Sequence, residues 1–501
     1  MYVSTRGNYK KARASEAIKL GMVPKGGLFV PDSIPMISME ELYKIDGDIY
    51  QELAEIILNL YLGDYSEEEV KDCVISAYNM DNFEYLSMAP LVGLKDEAYI
   101  LELWHGPTAA FKDMALQIMP YFLSKAIKKV GSEKEVVILV ATSGDTGKAA
   151  LEGFKNVPGI KIIVFFPHNG VSKVQELQMT TTDGNNTYVV AVKGNFDDCQ
   201  SAVKEIFADS SFKGILDNHG YELSSANSIN WGRLLPQIVY YFSAYLELVK
   251  KQQIEPNEKI NFVVPTGNFG NILAGWYAYK MGLPINKLIC ASNENKVLTD
   301  FFSTGVYDRN REFKQTNSPS MDILISSNLE RFLFEITNHD AEKINQWMEE
   351  LNTTGQFTVS EQTKNAIGTI LAASSASEKE TLETINEVFY AEGYTLDTHT
   401  AVGVKVYNEY VNKTGDKSKT VIDATASPFK FNSSVLEAIK GKEAVQGKDE
   451  IDIVKELSEV SGLPIHRGLK DLDKKPVLHK TVCEKDEIKK AVEKILGIVG
   501  K

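Results

Sequence analysis

Residues 135–147, EVVILVATSGDTG, decide the fold. Glu135 to Ala141 is a short, continuous apolar run rich in β-branched side chains, with no polar face to give to water. Such a run suits a strand covered on both sides, as in a parallel sheet. Thr142–Ser143–Gly144–Asp145–Thr146–Gly147 follows directly, and a helical pattern runs on from Lys148 to Phe154. A loop between a buried strand and a helix start is where an α/β sheet offers free N–H groups to an anion. The same rhythm recurs outward from it. Lys161–Phe166, Thr187–Val192, Asn261–Val264, Lys287–Ala291 and Thr420–Ala424 read as further strands. Met114–Lys128, Asp198–Phe207 and Trp231–Val249 read as helices between them. Strand and helix alternating in this way predict a doubly wound α/β architecture with parallel sheets.

Elsewhere the pattern differs. The first 85 residues hold short helical patterns, such as Asp48–Leu62, between Gly- and Pro-rich turns. Residues 305–327 are polar and loop-rich, and helical patterns dominate from Asn328 to Glu392. The expected organisation is an N-terminal domain over 1–85 and a core over 86–430. That core has two lobes and an insertion around 300–390, and a charged tail of helices and loops follows over 431–501.

Composition narrows the function. The 501 residues carry 54 Lys and Arg against 68 Asp and Glu, a formal charge of −14, which disfavours binding to nucleic acid or an acidic membrane. A small anion in a local pocket stays open. Hydrophobic content of 43% and charged content of 24% suit a globular enzyme. The four cysteines form no CxxC pattern and the seven histidines no HExxH pattern, so no metal site is expected. No apolar run approaches the length of a membrane span, and the polar start MYVSTRGNYKKARASE has no signal-peptide core, so a cytoplasmic protein is expected.

Three loops could carry chemistry. A Walker A reading of the first fails, because it needs Gly at 142 and Ser or Thr at 149, where the chain has Thr142 and Ala149. That loop then reads either as a plain βα turn, with Asp or Thr capping the helix, or as an anion site. The second, Thr266–Gly267–Asn268–Phe269–Gly270–Asn271, is not GxGxxG, but its glycines allow backbone N–H groups to converge on a phosphate. In the third, HGPTAAFKD (105–113), Lys112 follows small and apolar residues. A lone lysine is ordinarily a solvated surface charge; one desolvated here would have a lowered pKa and could bond covalently to a carbonyl cofactor.

HGPTAAFKD, ATSGDTG and PTGNFGN together resemble the signature segments of the threonine synthase family, which are fold type II pyridoxal-phosphate enzymes. YVSTRG, GGLFVP, SKVQELQM (172–179), GNFDDCQ (194–200), SINWGRLLPQIVYYF (228–242), SMDI (320–323), SNLERFLFE (327–335) and HTAVG (399–403) extend the resemblance over nearly the whole chain. It is to the branch with a large N-terminal domain. The resemblance implies that Lys112 holds pyridoxal 5'-phosphate and shuttles protons. It implies that Gly267, Asn268, Phe269, Gly270 and Asn271 bind the cofactor phosphate and that Thr425 faces the pyridine nitrogen. Ser143, Gly144, Asp145 and Thr146 would receive the substrate carboxylate, and Ser228, Asn230 and Arg233 the substrate phosphate. The implied reaction converts O-phospho-L-homoserine and water to L-threonine and phosphate, in a monomer or homodimer. Two departures stand out: Ser427 where the family usually has histidine, and Thr398 where it usually has proline. A phospholyase giving a 2-oxo acid would share every motif. A silent binding protein on this fold is disfavoured by intact Lys112, Gly267–Asn271 and Thr425.

Overall fold

The computed structural model describes residues 1–45, 49–95 and 97–498. Two sheets organise the chain. The larger has six strands in the order Leu371–Ser375, Ile285–Ser292, Ile260–Pro265, Thr420–Ala424, Ala98–Glu102 and Leu91–Gly93. Its neighbours pair in parallel, except the antiparallel last pair. The smaller has five parallel strands in the order Thr481–Glu484, Thr187–Lys193, Ile160–Pro167, Glu135–Ala141 and Tyr221–Ser224. Both faces of the smaller sheet are buried, as the run at 135–141 requires. Val136, Ile138 and Val140 enter the main core. Val137 and Leu139 enter a second core, with side chains of the helices Phe196–Ala208, Ser210–Asn218 and Ile488–Leu496.

The six strands expected from the sequence are all present, lengthened by at most two residues at an end. Two expected helices are each broken in two. Trp231–Val249 becomes Trp231–Leu234 and Gln237–Lys250, because Pro236 has no N–H to give to the first helix. Met114–Lys128 becomes Asp113–Leu116 and Met119–Lys129, with Pro120 at the start of the second. Strands at Ala98–Glu102, Tyr221–Ser224 and Leu371–Ser375 lack a long apolar run, and only pairing to a completed neighbour makes them strands.

In the N-terminal segment, Tyr2–Ser4 pairs antiparallel with Phe29–Pro31. The helix Ile49–Tyr61 packs on Gln237–Lys250; Asp48, where the sequence pattern starts, lies outside the described residues. The segment after 430 is no detached tail. Its strand Thr481–Glu484 completes one edge of the smaller sheet beside Thr187–Lys193, and Lys193 pairs with Glu484. No helix among the described residues is long and apolar enough to cross a membrane. Among the same residues no cluster of His, Cys, Asp or Glu could hold a metal. The four cysteines are buried and unpaired.

Candidate active site

Loops leaving the carboxyl ends of strands in both sheets enclose a cavity of about 820 Å³. Its lining includes Lys112, Ser143, Asp145, Thr146, Ser228, Arg233, Gly267 to Asn271 and Thr425. Residues spread over more than 300 positions thus meet where open α/β sheets bind ligands.

Lys112 is buried beside Asp145, with Nζ 3.3 Å from Oδ2 and 3.4 Å from Ser320 Oγ. Burial lowers its pKa; Asp145 opposes this, and the nearby Arg233 and Lys430 add to it. The lysine is therefore desolvated, as its small and apolar neighbours predict. Burial alone would raise the Asp145 carboxyl, but Lys430 and Lys112 outweigh it and hold the group well below the ordinary carboxylate range. Asp145 is a fixed anion, so its side chain serves the lysines. A substrate carboxylate would meet the hydroxyls of Ser143 and Thr146 and the helix N-terminus instead.

The 142–147 turn is stapled by Thr142, whose hydroxyl accepts the N–H groups of Gly144 and Gly147 at 3.0 and 2.9 Å. Of the two residue types expected to cap the helix, Asp and Thr, it is a threonine that bonds to its first turn. Gly144 has φ +135°, and a Cβ there would lie 2.5 Å from Gln175 Cδ. It shapes the turn and does not line the cavity.

In the second loop Phe269 stands in the left-handed region at φ +64°, directly before the helix Gly270–Lys280. Its ring is anchored against Phe302 and Phe332. That anchor holds a conformation costly for a residue with a side chain and turns the start of the helix toward the cavity. Asn271 Oδ1 accepts the hydroxyls of Tyr240 and Tyr241 at 2.5 and 2.8 Å. Its buried Nδ2 lies beside the Asp423 carboxyl.

Below the loop, Asp423 is also buried, beside the Asn271 amide and with Oδ2 3.3 Å from Tyr241 Oη. Burial pushes its carboxyl up from 3.8 to about 7. A carboxyl with a raised folded-state pKa holds its proton more tightly in the folded chain. Stability therefore falls as pH rises from near 4 to about 7. Asp423→Asn should raise Tm at pH 8, with the gain shrinking toward pH 5; an equal Tm difference at both pH values would show that no such proton is held.

Arg233 is only 6% exposed, and burial lowers its pKa to about 10. Among the described residues its guanidinium makes one hydrogen bond, from Nη1 to Ala226 O at 3.0 Å, and no carboxylate pairs with it. It lies buried in the last turn of the short helix Trp231–Leu234. Ser228 lines the same cavity, and its Oγ meets Ser327 Oγ at 3.4 Å, which in turn reaches Asn268 Oδ1 at 3.1 Å. Asn230 does not join this group. Its side chain is consumed by Ile18 O, Ser225 O and Gly232 N, so it holds the loop from behind. The buried Arg331 does the same through Phe29 O, Asn328 Oδ1 and Ile229 O.

Thr425 is placed by backbone bonding, its carbonyl accepting the Phe111 N–H at 2.8 Å, so the third loop and the last core strand meet beside Lys112. Both departures from the family pattern have local work. Ser427 Oγ accepts the Phe429 N–H, capping the turn that carries Lys430, and Thr398 starts the helix capped by Asp397. The sequence reading assigned no role to Lys430, Gln175, Ser320 or His399. His399 Nε2 accepts the Ser320 N–H at 3.2 Å, while its Nδ1 faces Asp397 at 3.1 Å. All four stand in segments with a visible motif, Lys430 in ATASPFKF (424–431), yet the motif alone gives none of them a task.

A buried lysine, a left-handed loop feeding a helix and an unpaired cation at the strand ends of a two-lobed α/β chain define a fold type II pyridoxal-phosphate-dependent enzyme. The pyridoxal-phosphate dependent enzyme family model matches residues 84–425. The models for the threonine synthase N terminus and C-terminal region match 1–78 and 400–490. The chain belongs to the threonine synthase family. It is 39% identical to threonine synthase of Pseudomonas aeruginosa, over 87% of this chain and 90% of that one. It is 40% identical to human threonine synthase-like 1, over 96% of this chain, and spans 63% of that relative's length. The crystal structure of yeast threonine synthase superposes with a TM-score of 0.87 at 35% identity, covering 99% of each chain. The pyridoxal-phosphate-bound threonine synthase of Brucella melitensis gives 0.86 at 38%, covering 99% of this chain and 98% of that one.

Pyridoxal phosphate is the cofactor of this chain, and the cavity fits it. The helix Gly270–Lys280 starts at Phe269 without a side-chain cap, which leaves its first N–H groups to a phosphate. Gly267 is pressed on the 319–321 turn, where a Cβ would stand 2.7 Å from Ser320 O and 3.2 Å from Met321 Cα. At Gly270 the nearest atom to a Cβ is 3.5 Å away. Gly267→Ala should therefore lower cofactor retention far more than Gly270→Ala. Equal cofactor content after dialysis in the two variants would count against a loop pressed on the 319–321 turn.

Proposed function

We propose that the protein is a threonine synthase, converting O-phospho-L-homoserine and water to L-threonine and phosphate. Arg233 carries the reading: a buried guanidinium without an acidic partner, in one cavity with a desolvated lysine. Burying such a cation unpaired costs several kcal/mol, and a substrate phosphate would supply the missing charge.

Pyridoxal phosphate, when bound, supplies the electron sink that makes the C–H bonds near the amino group acidic. Lys112 would hold it covalently, Gly267 to Asn271 its phosphate and Thr425 its ring nitrogen. Thr425 offers a neutral hydroxyl there, so that nitrogen gains no carboxylate partner to protonate it. Lys112 Nζ, once free, takes and returns protons at Cα and Cβ. Arg233 and Ser228 grip the phosphate that departs from Cγ, and Ser143 and Thr146 orient the carboxylate. Water then adds at Cβ. Supplying phosphohomoserine to the holoenzyme tests this directly: threonine and phosphate in equal amounts are expected. A 2-oxo acid in place of threonine would identify a phospholyase.

A further inference from the structure

The two oxygens of Asp145 have different kinds of partner. Oδ1 receives the Lys430 ammonium at 2.8 Å and the Gln175 amide at 3.1 Å. Oδ2 faces Lys112 Nζ at 3.3 Å and Ser320 Oγ at 3.4 Å. Lys430 is 1% exposed, and its other contacts are Thr108 O at 3.2 Å and Gln178 Oε1 at 3.0 Å. Three separate segments thus fix one cation behind the carboxylate: the loop before Lys112, the helix Asp145–Phe154 and the helix Lys173–Thr180.

We propose that Lys430 is a positioning residue for Lys112. By holding Asp145 Oδ1 permanently, it aims Oδ2 at Lys112 Nζ and keeps that nitrogen able to release its proton. The physical reason is the charge count. A buried Asp–Lys pair alone is neutral and grips the lysine proton; a second cation on the same carboxylate leaves the set positive by one and so loosens the hold on the Lys112 proton. The charged groups near Lys112 are Asp145, Arg233 and Lys430, beside the Phe111 ring at 5.0 Å. Those near Lys430 are Asp145, the buried Asp113 and His466, so Asp145 is the anion the two lysines share. The proposal rests on Lys112 being the cofactor lysine, which peptide mapping of the borohydride-reduced holoenzyme decides separately.

The test is Lys430→Gln, and Lys430→Met beside it, in the holoenzyme. The readouts are the pH dependence of the bound cofactor's visible band and the acid limb of kcat/KM. Removing a cation close to Lys112 favours its protonated form, so both transitions should move upward by about one pH unit. A folded variant with wild-type cofactor content and an unmoved transition would overturn the proposal. Failure of both variants to fold would overturn it equally, by assigning Lys430 to the fold alone. A cofactor mapped to another lysine would instead defeat the reading of Lys112.

Discussion

Lys112→Ala should lose turnover by at least about 10³-fold and lose the covalently held cofactor with it. The size follows from two roles meeting in one nitrogen, anchor and proton carrier, where a proton carrier alone is commonly worth 10²- to 10⁴-fold. The surroundings sharpen the expectation. Asp145 and Ser320 lie within 3.4 Å of Nζ, and neither can replace an amine. In the wild-type protein, borohydride should fix the cofactor on the peptide containing Lys112. A variant that kept substantial turnover, or a modified peptide from elsewhere, would remove Lys112 from the centre of the chemistry. Circular dichroism separates this loss from unfolding.

Arg233→Lys should keep the yellow cofactor yet lose roughly tenfold to a few hundredfold in kcat/KM for phosphohomoserine. A charge-assisted hydrogen bond is worth about 1.5–3 kcal/mol, and this ratio is that energy expressed as a rate. With Nη1 committed to Ala226 O, the rest of the planar guanidinium makes no hydrogen bond among the described residues and can grip a phosphate through two N–H groups. A lysine at 233 would bring charge without that fork. The loss should fall on turnover and not on cofactor content, because the loop 266–271 is untouched. Wild-type kcat/KM in a folded variant would place the substrate phosphate elsewhere.

The sequence made the sheets legible because buried parallel strands are apolar throughout, and 135–141 or 160–167 can be little else. It left the edge strands hidden, since Tyr221–Ser224 and Thr481–Glu484 are half polar and owe their state to a neighbour. The site divides in the same way. Lys112, Arg233 and the two loops follow from local motifs. Asn230 misled, because a motif marks a segment and does not say whether a side chain faces the cavity or the loop behind it. Lys430 was invisible, because its meaning lies in meeting Asp145 across nearly the whole core, and one-dimensional spacing holds no record of that meeting.

The pairing of Thr481–Glu484 with Thr187–Lys193 also has a consequence for synthesis. Lys193 and Glu484, the ion pair closing that edge, are 291 positions apart. A growing chain would complete four of the five strands of the smaller sheet long before the last emerged. Until then the flank of 187–193 would present bare N–H and C=O groups to any other nascent chain, a known template for faulty association. Shortening the chain before 481 should therefore harm yield through aggregation even though it removes no group that touches the cavity. Ribosome-bound chains arrested on either side of this strand should differ in capture by chaperones.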